Sequence, residues 1–440
     1  MLERIFKLNA KKTNVKTEVL AGITTFLAMA YILGVNPSIL AGDITGMDMS
    51  SVFLATAISS AIACILMGVL ANYPIGLAPG MGVNALFTYT VCLIYGYTYQ
   101  EALCSVLISG LIFLVISITG IRKLIIDSIP KNMKLAIGAG IGFFIAFIAL
   151  KNAGIIVASD ATFVALGNFK DPAVLLAIFG IVVTMCLMVK KVNAAPFYGL
   201  IITAIVGIVL GMMGISNMPS LPNQILTTDY TISTLGSCFS GFKTIFTHSN
   251  WCSVVFSFLF VYFFDTAGTL VAVGNSIGLV DENGKMENIE KALLADSVGT
   301  VVGAIMGTST VTSFVESGAG VAAGGRTGLT AVTCGICFIL SIFISPVILS
   351  VAVNAVTAPA IFVVGILMAQ QLKDIEWQDV ASAASAFVTI IFMVLAYSIS
   401  DGLALGFIVY GITMAVSGKA KQVSPICWVL IIVFILYFCK

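Results

Sequence analysis

Charge is the scarcest commodity in this chain. Only 9% of its 440 residues are Asp, Glu, Lys or Arg, against about a quarter in an ordinary soluble protein. With 59% hydrophobic residues and a mean hydropathy of +1.11, a water-soluble fold of this size could not cover itself with polar surface. Histidine is nearly missing too: His248 is the single one and sits in a polar stretch. No GxSxG, HExxH or Walker pattern occurs. Nothing therefore supplies an activated nucleophile, a catalytic metal or a phosphate cradle, and no enzyme, metal or cofactor is expected. The balance of 21 Lys+Arg against 20 Asp+Glu offers no basic surface for a nucleic acid. Of ten cysteines, Cys64, Cys92, Cys104, Cys186, Cys334 and Cys337 lie inside apolar runs, where they act as small fillers. Pairing of Cys238 with Cys252, which flank a loop, is left open.

What the chain has in abundance is long apolar runs, so a polytopic membrane protein is expected, with the lipid bilayer as its main solvent. A helix needs about 20 apolar residues to cross a bilayer. Candidate crossings fall near 19–40, 51–72, 101–120, 133–150, 172–189 and 195–214, then 252–273, 290–306, 328–349, 358–372, 381–399 and 402–417. Two more apolar stretches, 74–95 and 308–325, are interrupted by Gly, Pro, Ser and Thr. Counting both gives fourteen. A run at 425–439, about 15 residues long, is too short to assign as a crossing or an interfacial segment. The basic lead-in MLERIFKLNAKKTNVKTEVL lacks the layout of a secretory signal and reads as a cytoplasmic tail. With the tail inside, Arg122, Lys123, Lys131, Lys134, Lys190, Lys191, Lys285, Lys291, Arg326, Lys373, Lys419 and Lys421 all fall in cytoplasmic loops only if both interrupted segments cross.

The two halves echo one another. ATAISSAIACIL (55–66) faces ADSVGTVVGAIM (295–306), and VNPSIL (35–40) faces GNSIGL (274–279), at nearly constant offset. Each half then runs into its own interrupted segment. Seven spans per half would make the repeats inverted, the arrangement of many secondary transporters, with a site at the midplane where the breaks meet. The first break reads YPIGLAPGMGVNALFTYTV (73–91), and its Pro and Gly residues forbid a continuous helix. Helix can resume at Asn84, a favoured cap residue. In the second, MGTSTVTSFVESGAGVAAGGRTG (306–328), Thr and Val suggest an extended piece before helix resumes near Glu316. The two extended pieces could pair antiparallel, which would make Asn84 and Glu316 neighbours. Three acids fall within spans: Asp265, Asp296 and Glu316. An acid inside a bilayer is costly and is a functional candidate by default. Asp296 lies near a span start and is expected to support its neighbours. Asp265 and Glu316 are expected to bind substrate and couple protons.

These motifs carry a resemblance. GLAPGMGVNALF (76–87), FFDTAGTL (263–270) and GTSTVTSFVESGAGVAAGGRTGLTA (307–331) resemble the adenine/guanine/hypoxanthine permeases of the nucleobase–ascorbate, or xanthine/uracil permease, group. AGITTFLAMAYILGVNP (21–37) and AYSISDGLALGFIVYG (396–411) are similar to other parts of that family, so the likeness covers essentially the whole chain. It implies an all-α polytopic fold of fourteen spans in a 7+7 inverted repeat, with strands and half-helices in spans 3 and 10. It further implies a tail (1–18), a core domain from 19–120 and 251–349, and a gate domain from 121–214 and 350–417. The loop 215–250 and the apolar segment 418–440 complete the chain. The implied activity is proton-coupled import of purine bases across the cell membrane, with Asn84, Asp265 and Glu316 at the site. Where some members carry a further acid one turn before the span-eight Asp, this chain has Tyr262.

Purine chemistry fits independently, because a carboxylate can accept two N–H bonds from one edge of the base and an aromatic ring can stack on its face. Phe87, Phe263 and Phe264 are the stacking candidates. The rival reading is an anion carrier of the same architecture, since helix N-termini attract sulfate or carboxylates; Asp265 and Glu316 oppose it. Against a channel, the breaks and inverted repeats favour alternating access between core and gate domains; a homodimer is left open.

Overall fold

The computed structural model describes residues 2–119, 128–192, 194–222, 224–228, 230–276 and 288–438. Arg122, Lys123 and Lys285 of the charge pattern, and the side chain of Phe264, lie outside what is described. In chain order the elements begin with α1 (Leu2–Phe6), α2 (Val15–Met29), α3 (Ile32–Leu40), α4 (Met49–Leu66), β1 (Leu77–Pro79), α5 (Met81–Ala85) and α6 (Tyr99–Ile118). There follow α7 (Lys131–Asn152), β2 (Ile156–Ser159), β3 (Phe163–Leu166), α8 (Pro172–Val189), α9 (Ala195–Met212), α10 (Ser237–Gly241) and α11 (Trp251–Ser276). The rest comprises α12 (Ile289–Met306), β4 (Val311–Ser313), α13 (Ser317–Ala322), α14 (Gly328–Ile342), α15 (Ser345–Ser350), α16 (Asn354–Ala369), α17 (Val380–Leu395), α18 (Ile399–Val416) and α19 (Pro425–Phe438).

Eight helical stretches among the described residues are long and apolar enough to cross a membrane, and five more are apolar but shorter. The chain is thus a helical, multi-pass membrane protein. Local chemistry sets many helix starts: Asn14, Asp48, Asp171, Asp379 and Ser398 each accept a backbone N–H of the first turn. At α6, Thr98 and Glu101 form a reciprocal capping box. α7 and α16 approach closely because Gly142 and Gly365 face each other; a Cβ on Gly365 would stand 2.6 Å from the Gly142 carbonyl. In lipid, small residues of this kind let backbones touch and gain dispersion contact.

Each interrupted segment contains a short buried strand, β1 in the first and β4 in the second. They pair antiparallel, Leu77 opposite Ser313, Ala78 opposite Thr312 and Pro79 opposite Val311, as the sequence suggests. Unpaired amides in an apolar interior would cost several kcal/mol each, so two lone strands of three residues are viable only as a pair. Gly80 N–H extends the pairing to the Thr310 carbonyl at 3.0 Å, and Phe314 N–H to the Gly76 carbonyl at 3.0 Å.

One expectation needs correction. Helix resumes after β1 at Met81 with Gly80 at the cap position, so Asn84 lies one turn inside α5 and does not cap it. Gly80 satisfies the φ/ψ of a cap without a side-chain acceptor, and the paired strand fixes the chain direction there. Between the long helices, 156–166 folds into the β2–β3 hairpin. Within 215–250, Ser233 bonds Ser51, the Gly236 N–H bonds the Ile305 carbonyl, and α10 packs on α6. Cys238 and Cys252 are free thiols.

Candidate functional site

A cavity of about 850 Å³, its open mouth included, lies against the β1–β4 pair. Gly80, Met81 and Gly82 reach it from the start of α5, and Thr312 to Glu316 from the end of β4. Asp265 and Thr269 reach it from α11, and Tyr31 from the turn between α2 and α3. The facing wall is α7, through Lys134, Ile137, Gly138 and Ile141, with Val364, Leu367 and Met368 of α16 and Gln371 just beyond. Strand ends on one side and packed helices on the other thus enclose a mainly apolar space with two acids in it.

Each acid is held by a hydroxyl. Tyr31 donates to Glu316 Oε1 at 2.6 Å, and Thr312 donates to Asp265 Oδ2 at 3.2 Å. Hydrogen bonds to ionised groups are stronger than neutral ones and fix side-chain direction. Gly80 makes room: a Cβ there would come within 2.7 Å of Asp265 Oδ2 and 2.9 Å of the Thr312 hydroxyl. Glu316 occupies the cap position of α13, and the helical run from Met81 begins at the same cavity. Two helix N-termini therefore contribute partial positive charge near the two acids.

The other candidate residues sit elsewhere. Asn84 is fully buried, and its Oδ1 accepts the Ser309 hydroxyl; its amide nitrogen has no hydrogen-bond partner. It joins α5 to the approach of β4 but does not line the cavity with Glu316. Phe87 is buried against Phe258, and Phe263 packs edge-on to Phe113; neither lines the cavity, whereas Phe314 does. Asp296 is fully buried, and its Oδ2 accepts the Thr266 hydroxyl at 3.0 Å, which ties α12 to the turn of α11 that carries Asp265. Tyr262 is buried and packs on Phe113 with ring centroids 4.3 Å apart.

Sequence reasoning missed Tyr31, Thr312, Ser313, Lys134 and Gln371. Tyr31 lies six residues before Pro37 in the first apolar run, and a polar ring beside such an interruption was the available signal. It also missed Asn36, whose amide bonds Thr56 at 2.6 Å and Thr308 at 2.8 Å, pinning α3 and α4 to the start of the second break. Arg326, in the turn between α13 and α14, donates to the Val321 and Gly325 carbonyls. Among the described residues, the cation that lines the cavity is Lys134.

Paired strands, restarted helices and a cavity with two acids thus lie together in a multi-pass membrane protein. The chain belongs to the permease family of the xanthine/uracil type, whose model matches residues 16–405. It is similar to the guanine/hypoxanthine permease PbuG of Bacillus subtilis, at 48% identity covering 99% of both chains. It is likewise similar to the adenine permease AdeP of Escherichia coli, at 39% identity over 99% of this chain and 95% of that one. Among solved structures, the transmembrane domain of a cyanobacterial bicarbonate transporter, BicA, superposes with a TM-score of 0.63. That match covers 89% of this chain and 97% of the other at 15% identity, and it speaks for the fold alone.

Proposed function

We propose that this permease imports purine nucleobases together with protons across the cell membrane, N-terminus inside, by alternating access. In this reading the chain crosses the membrane fourteen times as two inverted sets of seven. The core is 19–120 with 251–349, and the gate is 121–214 with 350–417. The observation that carries the reading is that Asp265 and Glu316, far apart in sequence, line one cavity, each held by a hydroxyl. A purine presents N–H donors along its edges, and these two acids present acceptors. The apolar walls from α7 and α16 suit its flat faces, with Phe314 as the ring in place to stack. Two carboxylates would repel an anion, which weighs against the rival carrier of sulfate or carboxylates. The names of the relatives, which are purine permeases, point the same way.

Asn84 acts in this scheme through Ser309, holding the second break in register with the first. Protons are the coupling ion in this reading because an ionised acid is costly in an apolar site within the membrane, and taking up a proton removes that charge. The test is uptake of labelled guanine, hypoxanthine and adenine by cells producing the chain, with unlabelled purines, sulfate and bicarbonate as competitors. Purines compete, the inorganic anions do not, and collapsing the proton gradient stops accumulation. Competition by sulfate, or accumulation sustained by a sodium gradient after proton collapse, would overturn the reading.

A further inference from the structure

A second cavity, of about 660 Å³ with its open mouth, lies at the end of the molecule where the N-terminus docks. Lys7 and Lys11 line it from the N-terminal segment, and Lys291 from the start of α12. Among the described residues none of the three has an ion-pair partner. Of the described acids in these two segments, Glu3 accepts the Asn9 N–H on both oxygens, at 3.1 and 3.2 Å, and Glu290, beside Lys291, is exposed; neither lines the cavity. The segment is fixed in place. Phe6 and Leu8 are buried against Leu329, and the Asn72 side chain clamps it, donating to the Phe6 carbonyl at 3.0 Å while accepting the Gly328 N–H at 2.7 Å. Asn72 holds this position in a left-handed conformation, φ 59°, that ends the second long helical stretch. The rim is apolar and open: Ile5, Val69 and Leu70, all exposed, line the same cavity.

We propose that this cavity binds the phosphate headgroup of an anionic phospholipid. Three lysines converge on a hollow at the level where a membrane-spanning helix ends, and exposed apolar side chains beside them meet acyl chains. A soluble anion would use the lysines but not the apolar rim; a lipid uses both. Basic hollows at a helix end on one membrane face are suited to such headgroups. The proposal rests only on the chain being a membrane protein and is independent of what it transports.

The test is lipid retention by the purified full-length protein, read by native mass spectrometry in mixed phosphatidylglycerol and phosphatidylcholine. The parental protein should retain phosphatidylglycerol in preference. The triple variant Lys7→Gln, Lys11→Gln, Lys291→Gln should lose that preference, at about fivefold in affinity per lysine and on the order of a hundredfold for three. Lys190→Gln with Lys191→Gln, in a different loop, should keep it. Equal retention of both lipids by the parental protein overturns the proposal whether or not the triple variant folds. An undiminished preference in the triple variant, or in each single variant, overturns it as well. Displacement of the lipid by millimolar inorganic phosphate would assign the site to a soluble anion instead.

Discussion

Gly80→Ala puts one methyl group between the strand pair and the acid. Its backbone, φ −74° and ψ 127°, suits alanine, so no conformational strain follows. The cost is steric. The new Cβ would stand 2.7 Å from Asp265 Oδ2 and 2.9 Å from the Thr312 hydroxyl. Ordinary contact begins near 3.4 Å, so the carboxylate must retreat by roughly 0.7 Å or the strands must part. Overpacking of this kind costs about 1–3 kcal/mol of stability. Retreat also breaks the Thr312–Asp265 bond, worth about 1.5–3 kcal/mol if the acid is charged, or about tenfold to a hundredfold in apparent affinity for the base. Gly76→Ala is the control: its Cβ would press on the flexible Met29 thioether at 2.5 Å and touch neither acid. Thermal unfolding in detergent reads stability, and concentration-dependent uptake of the labelled base reads affinity. Both variants should lose stability, and only Gly80→Ala should lose affinity. Parental affinity in Gly80→Ala at normal membrane yield would refute the placement of Asp265 at the binding surface.

Tyr31→Phe keeps the ring and removes the donor to Glu316, so apparent affinity should fall about tenfold with little change in unfolding temperature; unchanged uptake would show that the tyrosine does not position the acid. Glu18 is fully buried and accepts from Arg326 N–H, Thr327 N–H and the Thr330 hydroxyl. Glu18→Ala orphans all three and should destabilise the protein by about 2–4 kcal/mol in thermal or chemical unfolding, while Glu18→Gln should recover part of that. Asp379, in the loop before α17, has its carboxyl held below the ordinary carboxylate range by hydrogen bonds from Ser382 and from Lys419. A depressed value means its contribution is present above about pH 4 and is lost as pH falls through the folded value. Asp379→Ala should therefore remove no more than about 1 kcal/mol at neutral pH, since the group is partly exposed and its ion pair is screened by solvent. Variant and parental unfolding temperatures should converge in acid.

Composition alone settled the membrane class, because so few charges cannot clothe a soluble fold. Periodic apolar runs placed the long helices, and Pro and Gly in 73–91 with Thr and Val in 306–314 marked both breaks, since these residue types disrupt helix locally. Their pairing was legible for the same reason: two short extended pieces in an apolar interior must satisfy each other. Asp265 and Glu316 stood out because isolated acids are costly in a bilayer. What the chain could not disclose was distance. The donor that holds Glu316 comes from Tyr31, 285 positions away, and the one that holds Asp265 comes from Thr312. The residues opposite them, Lys134 and Gln371, come from elements whose local sequence carries no mark of a site. Asn84 carried a local signal for capping that tertiary structure overrode, because strand pairing at Gly80 fixed where the helix restarts and turned the amide toward Ser309. Propensity acts over one helical turn, whereas a cavity is assembled by packing between segments, so tertiary structure alone decided which side chains share it.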